Sequence, residues 1–284
     1  MHKGGWSEVF FLPTLLFLPF FRYFCTMIFY FSGTGNTRWA AQQMAAATAE
    51  RQFFIPEELK GACHYTLEEG ERIGFCFPVH GWQPPHIVRE FIEKVVLTTR
   101  GEPLTAHYAY VLCTCGDSCG QAVTMLAEEL AAKGISLKSS QSLVMPESYV
   151  CLPFMYTDSP ERERQKKERA ETVLQEYVKV VKERREGYYS LKMGAAPWTL
   201  SHVIGAYFNR FMITDRKFTV DADVCRHCGR CAKECPVGNI EFDGLPTWKH
   251  DSSCTCCLSC YHHCPVHAIN YGSVTRKRGQ YYYK

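Results

Sequence analysis

The sequence predicts an α/β chain, a doubly wound parallel sheet followed by a small α+β module made of two cysteine-rich halves. Three observations carry that expectation. Short apolar stretches alternate with helical ones between residues 27 and 145, the pattern of repeated βαβ units. A loop of glycines and hydroxyl or amide residues, Ser32-Gly33-Thr34-Gly35-Asn36-Thr37, closes the first apolar stretch. Near the C-terminus the pattern C-x2-C-x2-C-x3-C-P occurs twice, as Cys225, Cys228, Cys231, Cys235, Pro236 and as Cys254, Cys257, Cys260, Cys264, Pro265.

Residues 1–26 differ in composition from the remaining chain. Residues 9–21 are an apolar run flanked by Lys3 and Arg22 and interrupted by Pro13 and Pro19. The run lacks a small-residue cleavage site and is too short to span a bilayer as a helix. The strand after it begins on Met27, so the expectation is a translation start there, with a membrane-contacting segment as the alternative. No stable membrane insertion is expected.

From residue 27 each element is predicted by local pattern. Residues 27–31 read as a strand and 38–50 as a helix, with the glycine-hydroxyl loop between them. Glycines let a backbone curl around a phosphate, while hydroxyls and the free N–H groups of a helix N-terminus donate to it. The loop has neither the Lys of a Walker A loop nor the spacing of a dinucleotide fingerprint. Residues 52–55, 72–77, 108–113 and 137–145 read as further strands, and 86–96 and 121–133 as helices. Two more loops, 78–85 around Trp82 and 114–120, end strands. In such sheets ligands sit beyond the strand C-termini at the topological switch point, and all three loops fall there. Residues 27–158 are therefore taken as the first domain.

Ser159 and Pro160 open a long helix reaching to about residue 186, with Val173, Leu174, Tyr177, Val178 and Val181 on one face. Its charged residues read as a solvated face. A second amphipathic stretch, 198–212, completes a helical connector over residues 159–213. Residues 214–284 form the cysteine module and a basic tail, Arg276-Lys277-Arg278 with Lys284, read as solvated.

The cysteine pattern is the bacterial spacing for two 4Fe-4S clusters, in which the fourth cysteine of each run ligates the other cluster. Cys225, Cys228, Cys231 and Cys264 are assigned to one cluster, and Cys254, Cys257, Cys260 and Cys235 to the other. Zinc sites use spaced pairs or mixed Cys/His sets, and disulfide frameworks belong to short secreted chains. Cys256 lies out of register and reads as a spare thiol. The two runs repeat at an interval of 29 residues, and apolar pieces at 218–220 and 246–248 precede them. Each half thus reads as strand, cluster loop, helical turn and strand, related by a pseudo-twofold. His262 and His263, between ligands of a complete set, are expected to be exposed. His80 reads as a loop histidine, and Cys113, Cys115 and Cys119 as buried cysteines.

With the loops and the cysteine runs together, the chain from Met27 onward resembles flavodoxin–ferredoxin fusion proteins of anaerobic bacteria and archaea, the EFR-type ferredoxins. The resemblance implies a flavodoxin-like domain with FMN and a two-cluster ferredoxin domain. Ser32, Gly33, Thr34, Gly35, Asn36 and Thr37 would hold the FMN phosphate. Trp82 would stack on the isoalloxazine, and Thr114, Cys115 and Gly116 would edge the ring. Asp117 and the stiff Pro84-Pro85 pair depart from the flavodoxin pattern, and no second aromatic flank is evident near 115–120.

The formal charge of +3 changes meaning once clusters are counted, because each oxidised cluster with four thiolates carries about −2 and the loaded chain about −1. No strongly basic face points to nucleic acid. Sixteen cysteines suit a reducing cytoplasm. The resulting expectation is a cytoplasmic electron carrier that exchanges low-potential electrons with redox protein partners. The alternatives are a flavin-dependent reductase fed by its own clusters, or a sensing or structural cluster protein on an empty scaffold.

Overall fold

The computed structural model describes Met1 and residues 26–284; the expectations placed on residues 2–25 lie outside the described residues. The first domain opens with β1 (Met27–Tyr30), α1 (Asn36–Thr48) and β2 (Arg51–Phe54), a βαβ unit in which β1 and β2 pair in parallel. Then come α2 (Ile55–Glu58), β3 (His64–Leu67), β4 (Arg72–Pro78), α3 (His86–Lys94) and β5 (Val96–Thr99). The domain continues with β6 (Tyr108–Cys115), α4 (Ala122–Ala132) and β7 (Leu137–Val144), then α5 (Pro160–Lys182) and β8 (Tyr188–Ser190). The main sheet has six strands in the order β2-β1-β4-β6-β7-β8, all parallel. With β3 and β5 set aside as a separate parallel pair, its first five strands have the flavodoxin order.

Pleating sorts the side chains of each strand onto two faces. Phe29, Phe75, Val111 and Cys113 pack under α3 and α4 with Ile87, Phe91 and Leu126. Ile28, Cys76, Tyr110 and Leu112 pack under α1 and α5 with Met44, Leu174 and Tyr177. Both faces are covered, as a parallel sheet requires. Two features differ from the sequence expectation. The long helix α5 is no free connector: it buries Ala170, Leu174, Tyr177, Val180 and Val181 against the sheet, and β8 then joins β7. The sheet therefore continues past residue 158, because the apolar stripe of α5 matches a face that α1 alone does not cover. The pair β3–β5 was not foreseen, since four-residue strands carry little periodicity.

A helical run then crosses to the C-terminal module: α6 (Pro197–Thr199), a π-helical turn (Leu200–Gly205) and α7 (Ala206–Phe211). The module contains β9 (Phe218–Val220), α8 (Arg230–Lys233), β10 (Ile240–Asp243), β11 (Leu245–Trp248), α9 (Ser259–His262) and β12 (Ile269–Tyr271). Strand β9 pairs antiparallel with β12, and β10 with β11, the pseudo-twofold expected from the repeat. The backbone keeps the same register. Left-handed φ values recur 29 residues apart, at His227 and Cys256 (53° and 50°), Gly229 and Leu258 (65° and 60°), and Gly238 and His267 (63° and 57°). Non-glycine residues adopt that conformation at a cost of about 1–2 kcal/mol each, so the loop shape is imposed on the second half against local preference.

Candidate functional site

The C-terminal ends of β1, β4 and β6 open on one cleft in contact with solvent. All three loops singled out in the sequence line it. Ser32, Gly33, Thr34, Asn36 and Thr37 form one wall, and Pro78 to Trp82 and Thr114 to Ser118 form two others. Gly35 caps α1 in a left-handed conformation and offers no side-chain cap, and no acidic residue stands in the first turn. The first N–H groups of α1 therefore remain suited to an anion. Side chains in this loop are more committed than expected. Ser32 Oγ accepts from Gly35 N–H at 3.2 Å, and Asn36 Nδ2 donates to Pro146 O at 3.1 Å. Thr37 and Thr114 share a hydroxyl hydrogen bond of 2.8 Å, which ties the first loop to the third.

Trp82 takes φ +57°, and its Nε1 donates to Ser118 Oγ at 3.2 Å. The crossing helical run holds this loop from behind. Ser201 Oγ donates to Trp82 O at 2.8 Å and accepts from Gln121 N–H at 2.7 Å. Gln83 Nε2 donates to Ser201 O at 2.7 Å, and Asn209 Nδ2 to His80 O at 3.0 Å. The π-helical turn lies where the run passes closest: a Cβ on Gly205 would stand 2.2 Å from Gly81 O. Only glycine fits there. Two further aromatic side chains reach the cleft from outside the three loops. Tyr149 and Phe208 line the cleft as an edge-to-face pair with centroids 5.2 Å apart.

Charge in the cleft is sparse and controlled. Asp117, on the rim of the cleft, forms an ion pair with Lys192 (3.0 Å) and is largely exposed. Glu147 sits in the cleft, and burial raises its carboxyl above the ordinary range against the N–H groups of Tyr149 and Ser148 and the Lys166 ammonium. His80 also lines the cleft, and burial, with His86 beside it, lowers its imidazole to about 4. Cys115 lines the cleft, while Cys113 and Cys119 are fully buried, as expected of core thiols.

Seven of the eight cysteines of the repeat fall into two groups. Cys231 is raised by burial first, then by Cys264 and Cys225. Cys260 is raised well above its ordinary value by burial, then by Cys257, Cys235 and Cys254. Cys257 is pushed up to about 11 by burial, with Cys235 next to it. The fourth cysteine of each run thus stands among the thiols of the other. Backbone N–H groups meet sulfur at equivalent places in both halves: His227 N to Cys225 (3.4 Å) and Cys256 N to Cys254 (3.4 Å), Asn239 N to Cys235 (3.3 Å) and Ala268 N to Cys264 (3.2 Å). Such donors are a lever on cluster potential. No three His, Cys, Asp or Glu side chains among the described residues converge on one ion-sized point.

The second cysteine loop is also a wall of the cleft, through Cys256, Cys257 and Leu258. Contact with the first loop is direct: a Cβ on Gly33 would lie 2.5 Å from Cys257 Cβ. The C-terminal tail also packs on the first loop and α1. Tyr281 donates to Asn36 Oδ1 at 2.6 Å, Tyr283 N–H donates to Thr34 O at 2.8 Å, and Tyr283 stacks on Trp39 at 5.1 Å.

Residues 217–265 match the 4Fe-4S dicluster domain family, a span that includes all eight cysteines. The chain joins a flavodoxin-like domain to a 4Fe-4S dicluster domain. No curated protein matches the chain. Among solved structures, a putative flavoprotein from Bacteroides uniformis is similar at 19% identity and a TM-score of 0.29, over 42% of this chain and 89% of that one. The Trp repressor binding protein from Bacillus subtilis shares 15% identity at a TM-score of 0.32, over 52% and 97% of the two chains. The flavodoxin of Streptococcus pneumonia TIGR4 shares 14% identity at a TM-score of 0.29, over 54% and 99%.

Two sequence expectations are corrected within the dicluster domain. His262 and His263 are buried, at 2% and 6% exposure. His262 Nε2 donates to Ser148 O at 2.7 Å while its Nδ1 accepts from Tyr281 N–H at 3.0 Å, so it bolts the domain to the first one. Arg278 of the basic tail is not simply solvated. It donates to Pro153 O and stacks over Tyr156 at 3.5 Å. Neither contact has a local signal, because Ser148 and Pro153 lie more than a hundred residues away in sequence.

Proposed function

We propose that the protein relays low-potential electrons between an FMN held in the cleft and two 4Fe-4S clusters, exchanging them with a redox protein partner. The dicluster match and the flavodoxin-like fold support an electron-transfer role. The observation that carries the flavin link is the shared wall: Gly33 of the first loop touches Cys257, and Cys256, Cys257 and Leu258 face the same cleft as Trp82.

In this reading the loop 32–37 receives the phosphate through the N–H groups of α1, with Ser32 and Thr34 among the residues that line the cleft. Trp82 and Tyr149 flank the ring, and Thr114, Cys115 and Gly116 border it. The flavin exchanges electrons in pairs or singly, and the clusters one at a time. Cys225, Cys228, Cys231 and Cys264 hold the cluster nearer solvent, since Cys228 is exposed. Cys254, Cys257, Cys260 and Cys235 hold the one beside the cleft. Burial of His80 as a neutral imidazole keeps positive charge out of the ring site.

Anaerobic purification followed by iron, sulfide and flavin counts tests this, with about eight irons and one FMN per chain expected. Flavin that fails to bind after reconstitution would leave a cluster protein on an empty scaffold. Steady turnover of a small acceptor by the isolated protein would instead make it a reductase.

A further inference from the structure

Glu147, just past the end of β7, is a cleft carboxylate that none of the three loops supplies. Its Oε1 accepts from the N–H groups of Ser148 and Tyr149 at 3.0 and 2.9 Å. Its own backbone N–H donates to Asp158 Oδ2 at 2.8 Å. These bonds fix the side chain with Oε2 against Gly116, where a Cβ would overlap it. Only glycine admits the carboxylate there. Glu147 and Gly116 both line the cleft, and Oε2 has no hydrogen-bond partner among the described residues.

The neighbouring acceptors are already taken. Thr114 O accepts from Val79 N–H and Cys115 O from Met145 N–H, each at 2.8 Å. Gly116 O accepts from the Lys166 ammonium at 2.9 Å, which also donates to Asp158 Oδ2 at 2.6 Å. Pro146 O accepts from Asn36 Nδ2, and Ser118 Oγ from Trp82 Nε1. A ligand N–H that gives up water at this edge needs an acceptor, because a buried donor left unpaired weakens binding. Glu147 Oε2 supplies one, and an ionised acceptor makes the stronger bond. Two other groups lining the cleft have spare capacity: Asp117, on the rim, and the Tyr149 hydroxyl, buried with no nitrogen or oxygen partner. The atoms nearest the Cβ position of Gly116 all belong to Glu147.

We propose that Glu147 Oε2, beside Gly116, is a subsite for a ring N–H of the imide class, so that the cleft selects a planar ligand carrying that donor at its edge. The inference rests on the FMN reading, in which Gly116 borders the isoalloxazine. The oxidised ring has a single N–H, at N3 between two carbonyls, and that is the donor the subsite takes. Glu147 thereby sets which flavin binds, in addition to the loop that receives the phosphate.

Full-length, cluster-loaded protein freed of flavin is titrated anaerobically with FMN and with FMN methylated at N3, and binding is read from flavin fluorescence. Wild type should bind FMN about 10- to 100-fold more tightly than the methylated flavin, the range of a hydrogen bond to a charged group. Glu147→Gln keeps the loop, since its carbonyl can accept from the Ser148 and Tyr149 N–H groups, and turns an NH2 toward Gly116 in place of the acceptor. In this variant, and in Glu147→Ala, the two dissociation constants should come within about twofold of each other. Asp117→Ala and Tyr149→Phe should keep the wild-type ratio. Equal binding of the two flavins by wild type would overturn the subsite alone. A wild-type ratio that survives both Glu147 variants, or is lost in Asp117→Ala or Tyr149→Phe, would do the same. Failure of wild type to bind either flavin would refute the FMN reading and the subsite together.

Discussion

The two cysteine loops share a sequence pattern, a set of left-handed backbone positions and a set of N–H contacts to sulfur, yet they face different worlds. In the first, Cys228 and His227 are exposed. In the second, Cys256 and Leu258 are buried and Cys257 presses on Gly33. Local code makes the loops alike, and the surface each is pressed against makes them different. The difference assigns direction to the proposed relay, with the first loop toward a partner and the second toward the cleft.

The largest test of that contrast removes one ligand from each group. Cys228→Ser and Cys235→Ser should each lower iron from about eight to about four per chain. Because Cys235 stands among the second loop's thiols, its loss should also isolate the flavin, so that reduced flavin no longer reduces the remaining cluster in anaerobic stopped-flow mixing. The Cys228→Ser protein should keep that exchange and lose delivery to a partner. The same behaviour from both variants would erase the assigned direction.

A pH series probes the cleft side alone. His80 has a folded value of about 4, below its ordinary 6.5, so between those values the unfolded chain binds the extra proton. Stability is therefore complete above about pH 6.5 and declines as pH falls toward 4, by up to about 3 kcal/mol, an upper bound because the side chain keeps some contact with the cleft. Urea unfolding across this window should show that fall in wild type and not in His80→Gln.

Two glycines sharpen the comparison further. Gly33→Val would collide with Cys257 and should cost about 1–3 kcal/mol by overpacking, together with weaker flavin retention in a dialysis assay. Gly238→Ala meets open space but has φ +63°, so it should cost about 1–2 kcal/mol and leave flavin retention unchanged. The smallest effect is expected from Ser201→Ala. Loss of its bonds to Trp82 O and Gln121 N–H should cost about 1 kcal/mol and loosen the Trp82 loop, read as faster amide exchange at residues 80–83.

What could be read in advance was whatever the chain encodes locally. Strand and helix periods, the glycine-hydroxyl loop and the 29-residue repeat all lie within short windows, and they yielded the sheet and the three cleft loops. Tyr149 and Phe208 carried no such signal, since each reaches the cleft from a segment that looked like linker. The same blindness misjudged His262, whose partners Ser148 and Tyr281 become neighbours only when the domains pack.

The sequence by itself determined the doubly wound class, the positions of the ligand-type cysteines and the placing of three loops at strand ends. These depend on side-chain period, backbone freedom at glycine and ligand spacing, all of which act over a few residues. Tertiary structure decided that the second cysteine loop is a wall of the cleft, that His262 bonds across to Ser148, and that α5 and β8 belong to the sheet. Such pairings depend on which buried surfaces fit once the chain has closed, and spacing along the sequence does not record that.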